Sequence, residues 1–307
     1  MLQFLPEGRA PVQAPMTLTS LSEAMERRRI VEARAVMCDS EHNLIVDLGG
    51  IRGIIPRQEG AVGIREGNVR DIALISRVNK PVCFTVTRLV QQAGQPMALL
   101  SRRAAQERCE ADYLERLRPG DVIPARVTHL ESFGAFCDIG CGVVALMPID
   151  AISVSRIAHP RDRFRPGDDI YAVVRGIDEA GRISLSHREL LGTWEENAAL
   201  FRQGQTVSGV VRTVEDYGVF VELTPNLAGL AELKEGARPG QQAGVYIKSI
   251  LPEKMKIKLI LIDTFEAEYR PAPPRYFITE GHLDHWRYSP EGCPKQIETL
   301  FTPEKST

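Results

Sequence analysis

The sequence has few aromatic residues and no excess of charge of either sign. Phe, Trp and Tyr make up 6% of the 307 residues, and 38 Lys and Arg stand against 40 Asp and Glu, for a formal net charge of −2. This balance argues against a protein that holds nucleic acid by non-specific charge attraction, because such proteins usually carry a clear basic excess. An aromatic residue that recurs at a repeated position is therefore informative in this chain.

Cysteine pairs, long apolar runs and a secretory leader are missing as well. The six cysteines, at positions 38, 83, 109, 137, 141 and 293, include no CxxC pair. His282, His285 and Cys293 lack the second cysteine that a zinc site would normally use. No apolar run is long enough to span a bilayer, and no secretory segment opens the chain. We therefore expect a cytoplasmic protein with free thiols and without metal, other cofactor or membrane contact.

The sequence also lacks the signatures of catalysis. It contains no nucleophile elbow, no P-loop and no dinucleotide fingerprint. Acidic residues recur at the repeat positions Asp47, Asp138 and Glu222. A carboxylate at a strand end more easily accepts hydrogen bonds from a turn than it binds a metal. We predict that the protein is not an enzyme.

What the sequence does contain is an internal repeat. GDVIPARVTHLESFGAFCDIG, which begins at Gly120, aligns without a gap with GQTVSGVVRTVEDYGVFVELT, which begins at Gly204. The matched pairs include Val127 and Val211, Glu131 and Glu215, Phe133 and Tyr217, Gly134 and Gly218, and Phe136 and Phe220. A third, more divergent copy begins at Val31 and has His42 and Ile45 where the other two have aromatic residues.

Each copy has the pattern of several short β-strands. Apolar residues alternate in VIPARVTHL and VSGVVRTV, and the glycine of the x-Gly-x-Phe step suggests a bulge or bend that lets a short sheet close. Helix signals separate the copies: a capping box at 20–23 and helices over 102–117 and 189–201. We predict an all-β protein of three tandem five-stranded oligonucleotide-binding (OB) barrels joined by short helices, with a C-terminal extension.

The predicted barrels cover residues 30–104, 119–189 and 203–263. The rest is assigned to an N-terminal segment with a short helix (1–29), helical linkers (105–118 and 190–202) and a C-terminal tail (264–307). The third barrel is shortened, because it crosses with residues 234–238 the gap that the second fills with residues 149–165. In the tail, Glu280-Gly281 gives a weak hairpin signal, and Tyr276, Phe277 and Trp286 are expected to pack onto the third barrel.

Three segments of the second copy, SFGAFCDIG, SRIAHPRDRFRPGDDI and GRISLSHREL, strongly resemble the S1 RNA-binding domain, which is named after the largest protein of the bacterial small ribosomal subunit. The resemblance extends over residues 30–263, and the chain looks like a short homologue of ribosomal protein S1. It implies that strands two and three of each barrel bind unpaired RNA. Phe133 and Phe136 match the family's two aromatics, as do Tyr217 and Phe220, and Arg182 and Lys256 match a basic residue near the fifth strand. The family's histidine is replaced by Pro148, Glu232 and Pro56 in the second, third and first copies.

For some candidate site residues the sequence favours RNA binding over a purely structural role, and for others it does not decide between the two. Phe133 and Tyr217 are the best candidates for stacking on bases, which is worth on the order of 1–3 kcal/mol per base. For Phe136 and Phe220, base stacking and core packing are equally compatible with the pattern. Arg156 leads an arginine cluster that either contacts phosphates or belongs to a solvated loop, with Arg161, Arg163 and Arg165 as its other members. Lys258 is assigned to protection of an edge strand.

Three functions remain open at this stage. The leading hypothesis is a non-catalytic single-stranded RNA binder, holding mRNA in translation, with the small ribosomal subunit as a further partner. The first alternative is a protein-interaction module built from OB barrels with little RNA affinity. The second is an RNA-binding regulatory factor of a nuclease or transcription complex. Because His42, Ile45 and Pro56 replace the family's surface residues, we expect the first barrel to hold a protein or its neighbouring barrel. The alternative is that this barrel serves only as a spacer.

Overall fold

The computed structural model describes residues 4–9, 15–92, 94–267 and 272–301. Strands dominate, and they form three closed five-stranded barrels and one two-stranded sheet. This architecture confirms the prediction of an all-β protein with tandem OB-type barrels. By contact density the described chain divides into a first unit, residues 1–117 with 124–126 and 138–144, and a second unit made of the rest.

The first barrel follows a helix, α1 (Leu18–Glu26). Its strands are β1 (Val31–Cys38), β2 (Leu44–Asp47), β3 (Arg52–Ile55), β4 (Pro81–Gln92) and β5 (Gln95–Ser101), in the sheet order β1-β2-β3-β5-β4, with a one-turn helix α2 (Ile72–Ile75) before β4. The capping box of α1 is formed by Thr17 and Ser20 and not by residues 20–23 as predicted. Thr17 has the extended backbone that an N-cap requires, and its hydroxyl accepts from the Ser20 N–H.

The linker helix α3 (Arg102–Asp112) begins directly after the first barrel. The Ser101 hydroxyl caps it by accepting from the Ala104 N–H. The helix ends five residues before the predicted boundary at residue 117, because Tyr113 leaves the helical backbone region and a 3-10 turn follows at Leu114–Arg116. Residues 105–118 thus contain most of a helix and one tighter turn.

The second barrel has the sheet order β10-β8-β7-β6-β9. Its strands are β6 (Val122–Glu131), β7 (Gly134–Gly140), β8 (Val143–Pro148), β9 (Asp169–Ile177) and β10 (Ile183–Ser186). β8 and β10 pair in parallel at Leu146 and Ser184, which closes the barrel. The long connection before β9 contains two 3-10 turns, Ile149–Ala151 and Pro160–Asp162, as expected for the excursion predicted there.

The second linker is not one helix, contrary to the prediction over 189–201. A 3-10 turn at Arg188–Leu191 stops at Gly192, whose φ of +82° lies in the left-handed region. A new helix, α4 (Trp194–Ala198), then starts with Thr193 and Glu196 as its capping box. A Cβ atom at Gly192 would lie 2.6 Å from the Phe277 ring, so both backbone conformation and packing require glycine here.

The third barrel repeats the second with the order β11-β12-β13-β15-β14. Its strands are β11 (Thr206–Glu215), β12 (Gly218–Thr224), β13 (Leu227–Ala231), β14 (Gln242–Leu251) and β15 (Lys256–Phe265). The register shift between β11 and β12 lies between Val211 and Thr213, so the bulge is on β11 and not at Gly218.

The glycine of the repeated x-Gly-x-Phe step is needed for a different physical reason. A Cβ atom built on Gly134 would lie 2.4 Å from the Met147 carbonyl oxygen, and one on Gly218 would lie 2.4 Å from the Ala231 carbonyl oxygen. In both barrels the glycine therefore permits a neighbouring strand to approach, and the two aromatics around it are placed identically.

The C-terminal tail packs within the second unit. Its two short strands, β16 (His285–Arg287) and β17 (Glu298–Leu300), pair antiparallel. Trp286 is buried in the same apolar cluster as the core of the third barrel, which confirms the predicted packing for this residue. The predicted hairpin at Glu280-Gly281 is wrong, because the Gly281 carbonyl accepts from the Val122 N–H and the segment runs alongside β6.

Tyr276 and Phe277 hold the tail to the second barrel and the linker. The Tyr276 hydroxyl accepts from the Tyr171 N–H and lies 3.1 Å from Nε2 of His187, and the Phe277 N–H donates to the Leu190 carbonyl. The prediction that these two residues pack onto the third barrel is thus only partly right, since Tyr276 also touches that barrel's apolar cluster. No helix in the described part of the chain is long and apolar enough to cross a membrane.

Candidate nucleic-acid interface

Two aromatic rings stand together on the surface of the second barrel. Phe133 precedes β7 and its side chain is 55% exposed, whereas Phe136 on β7 is half-buried. Their ring centroids lie 6.0 Å apart with planes at 88°, an edge-to-face contact. The packing alternative for Phe133 is therefore wrong, because a ring that is half exposed does not fill the barrel core.

The third barrel carries the same pair in the same geometry. Tyr217 is 69% exposed, and its ring centroid lies 6.1 Å from that of half-buried Phe220 with planes at 90°. Edge-to-face pairs of this kind are worth about 0.5–1.5 kcal/mol, so the inner ring fixes the outer ring. The second and third barrels thus each present one open aromatic face beside a supporting ring.

The pairing of strands places a lysine in line with the aromatic pair of the third barrel. Phe220 on β12 pairs with Leu230 on β13, and Leu230 pairs with Lys258 on β15. All three side chains point outward from the same face of the sheet, since the residues before and after each of them along its strand are buried. Lys256 is exposed two residues earlier on β15, on the same side of the strand.

The assignment of Lys258 to an edge strand is wrong. β15 is paired with β13 at Lys258 and with β14 on its other side at Ser249, so the strand has no free edge at this position. In the second barrel the residue paired with Leu146 is Ser184, which is uncharged. Lys258 is therefore a basic group on the candidate surface that the sequence reasoning assigned to a different role.

Arg182 lies in the turn between β9 and β10 and is strongly exposed. Its side chain is 82% exposed, and Nε donates to Oδ2 of Asp178 at 2.7 Å. Hydrogen bonds from the Arg182 and Ala180 backbone lower the pKa of Asp178, so this carboxylate stays ionised beside the guanidinium. Arg182 can reach a phosphate only by leaving an exposed ion pair, and solvent screens such pairs so strongly that little is lost by the exchange.

The arginine cluster before β9 separates into exposed and buried members. Arg156, Arg161 and Arg165 are exposed, and among described residues Arg156 has no ion-pair partner within 4.0 Å. Arg163 is buried and ion-paired with Glu222 of the third barrel. Arg163 therefore cannot contact a phosphate, and Arg156 stays the leading candidate in this loop.

The buried ion pair also corrects the role of Glu222. This carboxylate accepts from Nε of Arg212 at 2.9 Å and from the second terminal nitrogen of Arg212 at 3.0 Å, in addition to its pair with Arg163. It is not a turn acceptor. Asp47 and Asp138 are turn acceptors as predicted: Asp47 accepts from the Gly49 N–H, and Asp138 accepts from the N–H groups at positions 140 and 142.

One aromatic neighbour was missed by sequence reasoning. His129 on β6 is exposed, and its ring centroid lies 6.3 Å from that of Phe136 with planes at 30°. It occupies the position of Thr213 in the third barrel, which is directly opposite Phe220. The gapless repeat could have predicted this contact, because a residue aligned with Thr213 lies opposite the inner ring, Phe136 or Phe220.

The position of the family's histidine is adjacent to the outer ring. The Ile149 N–H, which follows Pro148, donates to the Phe133 carbonyl at 2.9 Å. In the third barrel the corresponding residue, Glu232, is exposed. A carboxylate at that place repels the phosphates of a bound strand.

The first barrel presents no aromatic ring at the corresponding positions. The row that matches Phe220, Leu230 and Lys258 consists of Ile45, Ile54 and Leu99. Ile45 is only 7% exposed, so it belongs to the core more than to an apolar patch, whereas Met37 beside it is 46% exposed. His42 lies in a turn with φ +62° and is 3.6 Å from Asp71.

Comparison with known proteins relates the chain to one family. The model of the S1 RNA binding domain matches residues 116–188, which contain the second barrel. The small ribosomal subunit protein bS1 of Leuconostoc lactis is 32% identical over 233 residues, which cover 70% of this chain and 52% of that protein. The bS1 protein of Staphylococcus aureus strain COL is 30% identical over 278 residues, which cover 85% of this chain and 68% of that protein. The matched part thus spans about half of the first relative and about two thirds of the second.

Proposed function

This chain belongs to the family of the bacterial small ribosomal subunit protein bS1, and from that premise we propose that it binds single-stranded RNA without catalysing a reaction. The bound RNA is mRNA in translation, and the small ribosomal subunit is the further partner. Both the RNA and the ribosome place this activity in the cytoplasm.

The observation that carries the proposal is the repetition of one surface on two barrels. Phe133 with Phe136 and Tyr217 with Phe220 form edge-to-face pairs whose centroid distances differ by 0.1 Å (6.1 − 6.0 Å). An exposed ring next to a fixed ring is a platform for one unpaired base, and every base offers a face to it. Lys256 and Lys258 in one barrel, and Arg182 in the other, supply charge for the phosphates.

We propose a smaller role in RNA binding for the first barrel. Ile45 and Ile54 stand where the third barrel has Phe220 and Leu230. This surface therefore has no ring on which an unpaired base could stack whatever the RNA sequence. Exposed Met37 beside them suits contact with protein better than with a polyanion.

A titration of unpaired RNA at two salt concentrations tests the main proposal. We expect binding that weakens as salt rises and that is lost in the full-length double variant Phe133→Ala with Tyr217→Ala. Salt-independent or absent binding by the folded protein would favour a protein-interaction module. Binding without co-sedimentation with small subunits would favour a regulatory factor of another complex.

A further inference from the structure

Three buried cysteines from distant parts of the sequence converge within the first unit. Cys83 lies on β4, Cys109 on α3, and Cys141 in the tight turn between β7 and β8. All three are buried, and the thiols of Cys83 and Cys109 both hydrogen-bond the sulfur of Cys141. No part of the RNA-binding proposal uses this cluster.

The turn that carries Cys141 is held in a strained and fixed conformation. Cys141 has φ +49°, a left-handed value that is unusual for a residue other than glycine. Its N–H donates to the Leu5 carbonyl at 3.0 Å, and its carbonyl accepts from Nε2 of Gln106 at 3.3 Å. Oδ1 of Asp138 accepts from the backbone on both sides of Cys141. The sulfur of Cys141 is therefore presented to its two neighbours in one orientation.

The surroundings favour the thiolate of Cys141. The hydrogen bonds from Cys109 and then Cys83 lower its pKa to about 5, whereas burial and the charge of Glu7 act in the opposite sense and outweigh the charge of Arg102. The same contacts raise the pKa of Cys83 and of Cys109, so these two stay protonated. A thiolate beside thiols is the arrangement that favours oxidation to a disulfide, since the thiolate is the attacking species.

Cys109 is the better partner for Cys141. Its sulfur packs against the turn, where a Cβ atom on Gly140 would lie 2.8 Å away. The Cys83 thiol also lies 3.7 Å from Oε2 of Glu32, a second acceptor that competes for its proton. A cavity of about 290 Å³ lined by Arg102, Gln106 and Gly142 lies beside the turn.

We propose that Cys109 and Cys141 are a redox modification site that forms a reversible disulfide on reaction with a hydroperoxide such as hydrogen peroxide. The Cys141 thiolate attacks the O–O bond, an S–O bond forms, and the hydroxide that leaves takes up a proton to become water. The Cys109 sulfur then attacks the Cys141 sulfenic acid and loses its proton, the S–S bond forms, and the S–O bond breaks with release of a second water. Two thiols are oxidised and one peroxide is reduced to two waters.

Peptide mapping of the full-length protein after peroxide treatment tests the site without any substitution. The reduced protein has six free thiols. We expect four to remain after mild peroxide treatment and blocking with maleimide, a linked peptide pair containing Cys109 and Cys141, and recovery of all six after a dithiol reductant. A linked pair that contains Cys83 in place of Cys109, or thiol loss without any linked pair, would overturn the proposal.

Serine variants separate the cluster from general thiol oxidation. Cys109→Ser and Cys141→Ser should each abolish the linked peptide, whereas Cys83→Ser and the control Cys293→Ser, which lies outside the cluster, should retain it. Repeating the wild-type reaction in urea guards against misfolded variants: the linked pair must form faster in the folded protein than in the unfolded chain. Equal or slower formation in the folded state would show that the structure does not promote the reaction.

Discussion

Lys258 and Phe220 leave the same face of the third barrel, and each is paired in register with Leu230 on the strand between them. With neighbouring strands about 4.8 Å apart, their backbones are separated by roughly 10 Å. Phosphate and base of one bound strand can therefore be held by residues that are 38 positions apart in the sequence (258 − 220 = 38). The second barrel has Ser184 at the place of Lys258, so it has no positive charge at this position.

Removing the outer rings should weaken RNA binding and leave the fold intact. We expect Phe133→Ala and Tyr217→Ala each to cost about 1–3 kcal/mol of binding free energy. The ring-retaining controls Phe133→Tyr and Tyr217→Phe should bind nearly as the wild type does. Binding is measured by fluorescence anisotropy and folding by circular dichroism. Unfolding of an alanine variant would mean that the ring supports the core after all.

Removing the exposed cations should flatten the salt dependence of binding. Lys256→Ala and Lys258→Ala should each reduce the slope of log affinity against log salt by about 0.7, the value for one phosphate of a single strand. Arg182→Ala should flatten it too, because its exposed pair with Asp178 is weak enough to exchange for a phosphate. Lys295→Ala, an exposed lysine of the tail, is the matched control. An unchanged slope in a variant would exclude a phosphate contact at that residue.

Neutralising Glu232 should strengthen RNA binding. This exposed carboxylate stands where the family has a histidine, and removing its charge relieves repulsion worth up to about 1 kcal/mol at a solvated surface. We expect Glu232→Gln to raise the affinity most at low salt, and Glu195→Gln on α4 to leave it unchanged. If both variants gain equally, the effect is one of net charge and not of position.

Glu222 should matter for stability, because it holds two arginines. Glu222→Ala leaves Arg163 without its buried partner and frees the fork of Arg212, and breaking such a pair typically costs about 3–5 kcal/mol. Both tryptophans, Trp194 and Trp286, are buried in the core cluster of the third barrel, so urea unfolding followed by tryptophan fluorescence reports on it. Glu215→Ala, an exposed change on β11, should cost far less. A loss below about 1 kcal/mol for Glu222→Ala would contradict the buried network.

Acid should destabilise the second unit through His187. Burial lowers the pKa of His187 to about 4 from its usual 6.5. Nδ1 donates to the Ile152 carbonyl and Nε2 accepts from the Tyr276 hydroxyl, an arrangement that requires the neutral ring. As the pH falls, the unfolded chain binds a proton at His187 before the folded chain does. The contribution of the neutral ring to the free energy of unfolding is therefore complete above pH 6.5 and is lost between pH 6.5 and about 4, a loss of roughly 3 kcal/mol in total.

His187→Asn provides the control for this pH effect. Its amide can still donate to the Ile152 carbonyl, but it does not titrate. We expect the variant to be less stable than the wild type at pH 7 and to lose less stability between pH 6.5 and pH 4, as judged by urea midpoints from tryptophan fluorescence. The same pH dependence in both proteins would assign the acid sensitivity to another group.

Repetition and alternation in the sequence determined the barrels and the aromatic surface. A gapless repeat forces Phe133 and Tyr217 into equivalent positions, and the glycine one residue later is required wherever two strands approach closely. Local signals were weaker at element ends: Gly192 interrupts a segment of high helix propensity, because tail residue Phe277 packs against it. Propensity is a property of a short window and cannot register a contact made by a distant segment.

Only the tertiary structure decided the partners of the charged and reactive groups. Arg163 and Glu222 are 59 residues apart, and nothing local distinguishes Arg163 from exposed Arg161 and Arg165. Lys258 was expected to protect an edge strand, but the parallel pairing of β13 with β15 leaves no edge there and places Lys258 on the outer face of the barrel. The physical reason is the same in each case: periodicity determines which side of a strand a residue faces, whereas its neighbours depend on which strands the closed barrel brings together.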